Sequence, residues 1–297
     1  MSQITKLQLI NVSQEAIHIA WELTDYGSYL APYEEYGIYL TFDRDMSHKY
    51  NIEKQCDITL SNKNHIYHNN GFVSFEFKFP ERLKTGIYNL VVSNDGSFEL
   101  IKVIVPSVGI LSGGGSCFIA EAKSLGIQDK ENMWCVMTNH HALPTYEMAS
   151  QTQVCFNGVH IAHLRPDLFW KTFTNQGAYG LDYSCIAIDE ETKQILSNYL
   201  IYPNEIINEP LKECSNELML IHRPARLPSF VYTLCKPIEY KKVKTTYEYL
   251  GGPITSAGSS GSPLFGILNK RIGICGLHKG KNLCVNMNDI INNITNS

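Results

Sequence analysis

The stretch Phe72-Val73-Ser74-Phe75-Glu76-Phe77-Lys78-Phe79 alternates with a period of two. Successive side chains of a strand leave opposite faces, so this run has an apolar face of Val73, Phe75, Phe77 and Phe79 and a mixed one between them. The same period extends outward. Lys6–Asn11, Ala16–Leu23, Tyr36–Phe42 and Cys56–Leu60 read as strands before it, and Gly86–Ser93 and Phe98–Val105 after it. Turn formers separate several of them: Asn69-Asn70-Gly71, Lys84-Thr85-Gly86 and Asn94-Asp95-Gly96.

Seven short strands within residues 1–105 predict an Ig-like β-sandwich. Pro106 then breaks the pattern, and Gly109 to Gly115 holds four glycines, so a domain boundary is expected near 105. Residues 106–297 again read as strands: Ser116–Ala122, Met133–Thr138, Gln153–Leu164, Tyr183–Ile188, Leu218–His222, Val231–Tyr249, Pro263–Leu268, Arg271–Leu277 and Asn282–Val285. A final stretch, Asn288 to Thr295, puts Ile290, Ile291 and Ile294 on one side of a helix. The chain is expected to be all-β in two domains, 1–105 and 106–297.

Composition narrows the function. The chain has 297 residues, 44% hydrophobic and 18% charged, which is globular rather than disordered. Its net charge of −4 argues against nucleic acid as the main partner. No apolar run reaches the roughly 20 residues of a membrane helix, so no membrane partner is expected. Met1 to Leu30 lacks a basic segment followed by an apolar core, and the nine cysteines include no CxxC pair. Cysteines inside apolar runs, such as Trp134-Cys135-Val136, read as buried thiols, which suits a reducing, cytoplasmic compartment. His160 and His163 lack metal-ligand spacing, so neither a metal nor a cofactor is expected.

Three segments carry chemistry. Val136-Met137-Thr138-Asn139-His140-His141-Ala142-Leu143 is an apolar strand running into paired histidines. Gly180-Leu181-Asp182-Tyr183-Ser184-Cys185-Ile186 sets an aspartate before a buried strand, and Ala257-Gly258-Ser259-Ser260-Gly261-Ser262-Pro263 is a small-residue turn entering another. Serine needs a base within hydrogen-bond reach, and the base needs an orienting acid. Each segment alone reads more simply as a loop, a cap or a surface histidine; their combination, in this order, points to nucleophilic catalysis.

Thr138-Asn139-His140-His141 resembles the Thr-x-x-His segment of trypsin/chymotrypsin-like serine peptidases, and Gly258-Ser259-Ser260-Gly261-Ser262-Pro263 resembles their nucleophile segment. The ending Ile272-Gly273-Ile274-Cys275-Gly276-Leu277-His278 is similar to the last strands of glutamyl endopeptidases and heat-shock-type members. The resemblance covers residues 106–297, where separations of 41 residues from His141 to Asp182 and 78 from Asp182 to Ser260 suit a double β-barrel. It implies a chymotrypsin-like double β-barrel and a serine endopeptidase acting on a protein or peptide substrate. His141 would be the base, with His140 as its bystander, Asp182 the acid that orients it, and Ser260 the nucleophile. The backbone N–H groups of Gly258 and Ser260 would form the oxyanion hole. The order His, Asp, Ser differs from that of α/β-hydrolases, and the all-β pattern disfavours an esterase of that class. The alternative is a catalytically silent scaffold of the same fold.

Two departures matter. Trypsin-type zymogens carry an aspartate just before the nucleophile, to pair with a new N-terminus; here that residue is Ser259, and the barrel begins Ile104-Val105-Pro106-Ser107 without a basic cleavage site. The substrate pocket implied by the resemblance comprises Ile254, Thr255 and Ser256 on one wall and Cys275, Gly276, Leu277 and His278 on the other. It holds no carboxylate to face Arg or Lys, so a neutral or polar P1 residue is expected. His278 is placed to reach the pocket as a histidine does in glutamyl endopeptidases and picornaviral peptidases, although the family position, counted forward from Ser260, falls near Cys275. Three roles are open to the first domain: binding the substrate or a protein partner, gating the barrel, or capping it. Tyr26, Tyr29, Tyr33, Tyr36 and Tyr39 suit an interface, though the simpler reading packs Tyr36 and Tyr39 in a strand and leaves the others on a loop.

Overall fold

The computed structural model describes residues 3–24, 37–42, 58–59, 66–69, 72–79, 81–94, 97–130, 132–161, 163–174, 180–214, 218–224, 231–239, 246–250, 255–280 and 282–296. The chain is predominantly β and divides into two compact units, Met1–Val105 and Pro106–Ser297.

In the first unit β1 (Ile4–Val12), β2 (Ala16–Leu23), β3 (Gly37–Phe42), β4 (Ile58–Thr59), β5 (Ile66–Asn69), β6 (Phe72–Lys78), β7 (Gly86–Asn94) and β8 (Ser97–Val105) make two four-stranded sheets. Their orders are β1-β2-β6-β5 and β4-β3-β7-β8, with every pairing antiparallel. Alternation sets what they bury. Ile17, Ile19 and Trp21 point inward from β2, Val73 and Phe75 from β6, Ile38 and Leu40 from β3, and Leu90 and Val92 from β7. Phe72 and Glu76, of opposite parity, are exposed. Tyr26, Tyr29, Tyr33, Tyr36 and the Tyr39 side chain lie outside the described residues, as does Cys56.

The second unit begins with β9 (Val108–Leu111), β10 (Ser116–Glu121), β11 (Trp134–Thr138), β12 (Val154–Phe156), β13 (Val159–Ile161), β14 (Trp170–Thr174) and β15 (Asp182–Ala187). They form one antiparallel sheet of order β13-β12-β9-β10-β11-β15-β14. It is followed by a closed barrel of order β16-β17-β18-β21-β20-β19, from β16 (Leu218–His222), β17 (Val231–Glu239), β18 (Thr246–Leu250), β19 (Pro263–Leu268), β20 (Arg271–Gly280) and β21 (Leu283–Asn286). Closure pairs every strand on both sides and leaves no edge. Each layer has its own apolar cluster: Ile119, Val136, Phe156 and Ile186 in the sheet, Leu218, Leu220, Leu264 and Cys275 in the barrel.

Among the described residues three strands escape the sequence reading: β5 in the first unit, and β9 and β14 in the second. β9 lies in the glycine-rich boundary, where a Cβ on Gly109 would stand 2.5 Å from the Phe156 ring, so the gap between β9 and its neighbours admits only glycine. β14 pairs along β15 from Trp170↔Ile186 to Thr174↔Asp182. Among the described residues the unit also has three α-helices, α1 (Tyr146–Gln151), α2 (Glu190–Asn198) and α3 (Met287–Thr295), besides short 3-10 turns. The expected final helix is α3, capped by the Asn286 side chain, with Ile290, Ile291 and Ile294 buried. α1 and α2 are unforeseen, although Thr145 and Asp189 cap them by accepting from Met148 N and Thr192 N. No helix among the described residues is long and apolar enough to cross a membrane.

Candidate active site

The sheet supplies the charged half of the site. β11 ends at Thr138 opposite Ser184 at the start of β15, so the residues after β11 and the first residue of β15 meet at one end of the sheet. There the Asp182 carboxylate receives His141 twice. Its Oδ2 is 2.7 Å from the His141 Nδ1, and its Oδ1 accepts the His141 backbone N–H at 3.2 Å. Asn139 Nδ2 donates to the Asp182 carbonyl at 2.9 Å, fixing the strand that carries the acid. The Asp182 side chain is 5% exposed and that of His141 49%, so a buried acid orients a ring that remains open to solvent. Burial works to raise the Asp182 pKa; the hydrogen bonds and charge of His141, with the charge of Lys279, outweigh it and hold the carboxyl below its ordinary value.

His140 turns elsewhere. Its Nδ1 is 2.8 Å from Thr172 Oγ1, which is 2.7 Å from Ser184 Oγ; that hydroxyl in turn donates to the Leu143 carbonyl. The neighbouring histidines thus serve different networks.

The barrel supplies the serine. Gly258 and Gly261 have φ of +95° and +88°, and the turn between them carries Ser260. A Cβ on Gly261 would stand 1.9 Å from the Ser116 carbonyl oxygen and 2.5 Å from Thr138 Oγ1, so the turn presses directly on the sheet. Ser116 holds it there. Its N–H donates to the Ser260 carbonyl and its hydroxyl to the Gly258 carbonyl, both at 2.7 Å. Among the described residues, neither the Gly258 nor the Ser260 N–H has an acceptor. The Ser260 hydroxyl lies 3.5 Å from the Lys279 carbonyl, with Gly280 beside it. A Cβ on Gly115 would be 3.5 Å from both the Ser260 carbonyl oxygen and the Ala142 Cβ, which brings the serine turn next to the residue after His141.

Beneath the turn lie two buried imidazoles. His222 Nδ1 is 2.9 Å from Ser259 Oγ, and its Nε2 is 3.2 Å from Thr233 Oγ1. Burial pushes the His222 pKa down to about 4. Burial, reinforced by the charges of His222 and His141, pushes that of His278 down to about 3. Both rings are neutral at pH 7, so Ser259 sits in an uncharged hydrogen-bonded chain.

β20 carries a bulge at Cys275, since Leu264 pairs with Gly276 and Phe265 with Ile274. Cys275 belongs to the barrel's apolar cluster, its Sγ donating to the Leu264 carbonyl at 3.6 Å. Gly276, Leu277 and His278 of the expected second pocket wall are buried as well. Thr255 is half-buried and Ser256 is exposed, the Ser256 carbonyl accepting from Ser259 N; Ile254 lies outside the described residues. His160, the weak metal candidate, lies 3.7 Å from Cys155 Sγ. Among the described residues no three His, Cys, Asp or Glu side chains cluster to hold a metal.

Sequence reasoning missed Ser116, His222 and Lys279. Ser116 opens an expected strand just after the glycine run, and His222 closes an apolar strand 37 residues from its partner Ser259. No local signal marks any of them, because each acts across a distance set by the fold. Compared with known proteins, the chain matches no family model and no curated sequence.

Proposed function

We propose that the chain is a serine endopeptidase of the trypsin/chymotrypsin-like kind. The observation that carries this reading is the two-point grip of buried Asp182 on His141, set beside a glycine-flanked turn that presents Ser260 and two amides with no acceptor among the described residues. Ser260 Oγ attacks the scissile carbonyl carbon and passes its proton to the free nitrogen of His141. The oxyanion that forms receives the N–H groups of Gly258 and Ser260. The C–N bond then breaks, and the protonated His141 returns its proton to the leaving amine. Water repeats the sequence on the acyl-enzyme and frees Ser260. Throughout, Asp182 holds the ring in one orientation and offsets its charge.

In this reading residues 106–297 form a double β-barrel, the seven-stranded sheet being the first barrel and the closed six-stranded one the second. Two four-stranded antiparallel sheets support an Ig-like sandwich for residues 1–105, which would bind a protein partner or confine activity to few targets. Ser259, bonded to a neutral histidine, supports an active turn that needs no salt bridge to a new N-terminus. The described walls of the pocket carry no carboxylate, which supports a neutral or polar P1 residue. The eight described cysteines, all free thiols, suit a cytoplasmic enzyme.

The test is labelling with a fluorophosphonate probe, alongside turnover of a mixed peptide library. Wild-type protein, unprocessed, should label and cleave, and Ser260→Ala should do neither. Absence of labelling in both would favour a silent scaffold. Labelling that survives the substitution would refute the assignment of Ser260.

A further inference from the structure

Lys279 has no part in the reaction just described, yet it touches both halves of the site. It is the extra residue of a β-bulge: the β20–β21 ladder runs through His278↔Cys284 and resumes at Gly280↔Leu283. A bulge re-aims the backbone and side chain it contains. Here the Lys279 carbonyl lies 3.5 Å from the Ser260 hydroxyl, while its Nζ donates at 2.7 Å to the carbonyl of Gly180, two residues before Asp182. The backbone of Lys279 thus belongs to the barrel and its ammonium to the sheet. The side chain is half-buried.

An ammonium is compact and strongly hydrated, and withdrawing it from water is costly unless partners replace the lost hydration. Among the described residues the partners are the Gly180 carbonyl and the charge of Asp182. Burial lowers the Lys279 pKa, and Asp182 opposes that. Among the described residues, the histidines around Asp182 and His141 do not substitute for it. His278, on the same strand, and His222 behind Ser259 are neutral, and His140 faces Thr172.

We propose that Lys279 is a positioning residue of this site, tying the Asp182 arm of the sheet to the Ser260 turn of the barrel and setting a positive charge at the strand end that carries Asp182. The proposal rests on the peptidase reading for its effect on rate, though not for its effect on Asp182.

Three variants of the full chain separate tether from charge. Lys279→Arg keeps both, Lys279→Gln keeps a donor toward Gly180 without the charge, and Lys279→Met keeps neither. Two quantities are measured across about pH 4.5 to 8.5: the rate of fluorophosphonate labelling, and the carbon-13 NMR signal of the Asp182 carboxyl, followed further into acid. Lys279→Met should label about tenfold more slowly at neutral pH. In both uncharged variants the acid limb of the labelling profile and the Asp182 titration should move up by about half a pH unit, and Lys279→Arg should restore them. Should Lys279→Met lose its cooperative unfolding, Lys279→Gln carries the test. An unmoved Asp182 titration in the uncharged variants, or equal movement in Lys279→Arg, overturns the proposal. If Ser260→Ala still labels, the peptidase reading fails by itself, and the Asp182 titration still decides the action of Lys279.

Discussion

The sheet and the barrel contribute to one site by different physics. The sheet's contribution is electrostatic: an ionised carboxylate, buried and paired twice to one histidine, with a cation beyond it. The barrel's contribution is steric and backbone-borne: a serine on a turn between two positive-φ glycines, underlaid by neutral imidazoles. Charge placement tolerates small movements, since Coulomb energy falls slowly with distance. A turn in van der Waals contact with a carbonyl does not. Substitutions in the sheet should therefore alter rate and pH dependence while the fold survives, and those in the barrel turn should alter the fold itself.

The sharpest way to break this contrast is Gly261→Ala. The added Cβ would meet the Ser116 carbonyl at 1.9 Å, in backbone that only glycine adopts without strain. The expected cost is about 4 kcal/mol, a fall of roughly 10 °C in the unfolding midpoint, with labelling of Ser260 lost even where the chain still folds. Retained labelling at wild-type Tm would mean that the turn is not pressed on the sheet. Asp182→Asn is the counterpart in the sheet. It keeps the volume and loses the charge, and labelling should slow by about 10⁴-fold while the unfolding midpoint moves by only a few degrees. A collapse of Tm comparable to that of Gly261→Ala would erase the distinction.

The pH dependence of stability sharpens it further. His222 and His278 ordinarily titrate near 6.5 but are held near 4 and 3 in the folded chain. Above pH 6.5 they are neutral in both states and contribute nothing. Below it the unfolded chain gains protons that the folded one refuses, so stability falls until the pH approaches the folded values. Asp182 behaves in the opposite way. Its lowered pKa stabilises the fold at every pH above the ordinary carboxyl value of 3.8, and that contribution is lost only as the pH falls through the folded value. Acid destabilisation between pH 6.5 and 4 thus belongs to the barrel. In urea unfolding, the loss between pH 7.5 and 5 should be smaller by about 2 kcal/mol in His222→Gln than in wild type. Equal losses would show that His222 takes up its proton without unfolding.

What could be read from the sequence follows the same division. The apolar runs located β2 and β19 to the residue: β2 by its alternation, with Ile17, Ile19, Trp21 and Leu23 buried, and β19 by a continuous run whose first four residues are all buried. The histidine, aspartate and serine segments stood out because each joins a chemical residue type to a strand end. β9 was hidden because tight packing requires glycine where alternation would show an apolar residue. α2 was hidden because most of its residues face solvent, leaving only Thr192 and Leu196 buried. Ser116, His222 and Lys279 were hidden because their partners are distant in sequence. The bulge at Cys275 was hidden too, since only the pairing of β19 with β20 shows the skipped residue.

The smallest expected effect is at His140, adjacent to the proposed base. In His140→Ala the Asp182–His141 pair is untouched, since His140 bonds to Thr172 and not to the carboxylate. Labelling should stay within about threefold of wild type, against a loss comparable to that of Asp182→Asn in His141→Ala. Thr172 keeps its contacts with Ser184 and the Tyr183 carbonyl, so the stability cost should be near 1 kcal/mol, that of one half-buried hydrogen bond. If His140→Ala instead abolished labelling and His141→Ala did not, the base would lie on the Thr172 network, and the sheet's contribution would be a hydroxyl chain rather than a buried charge.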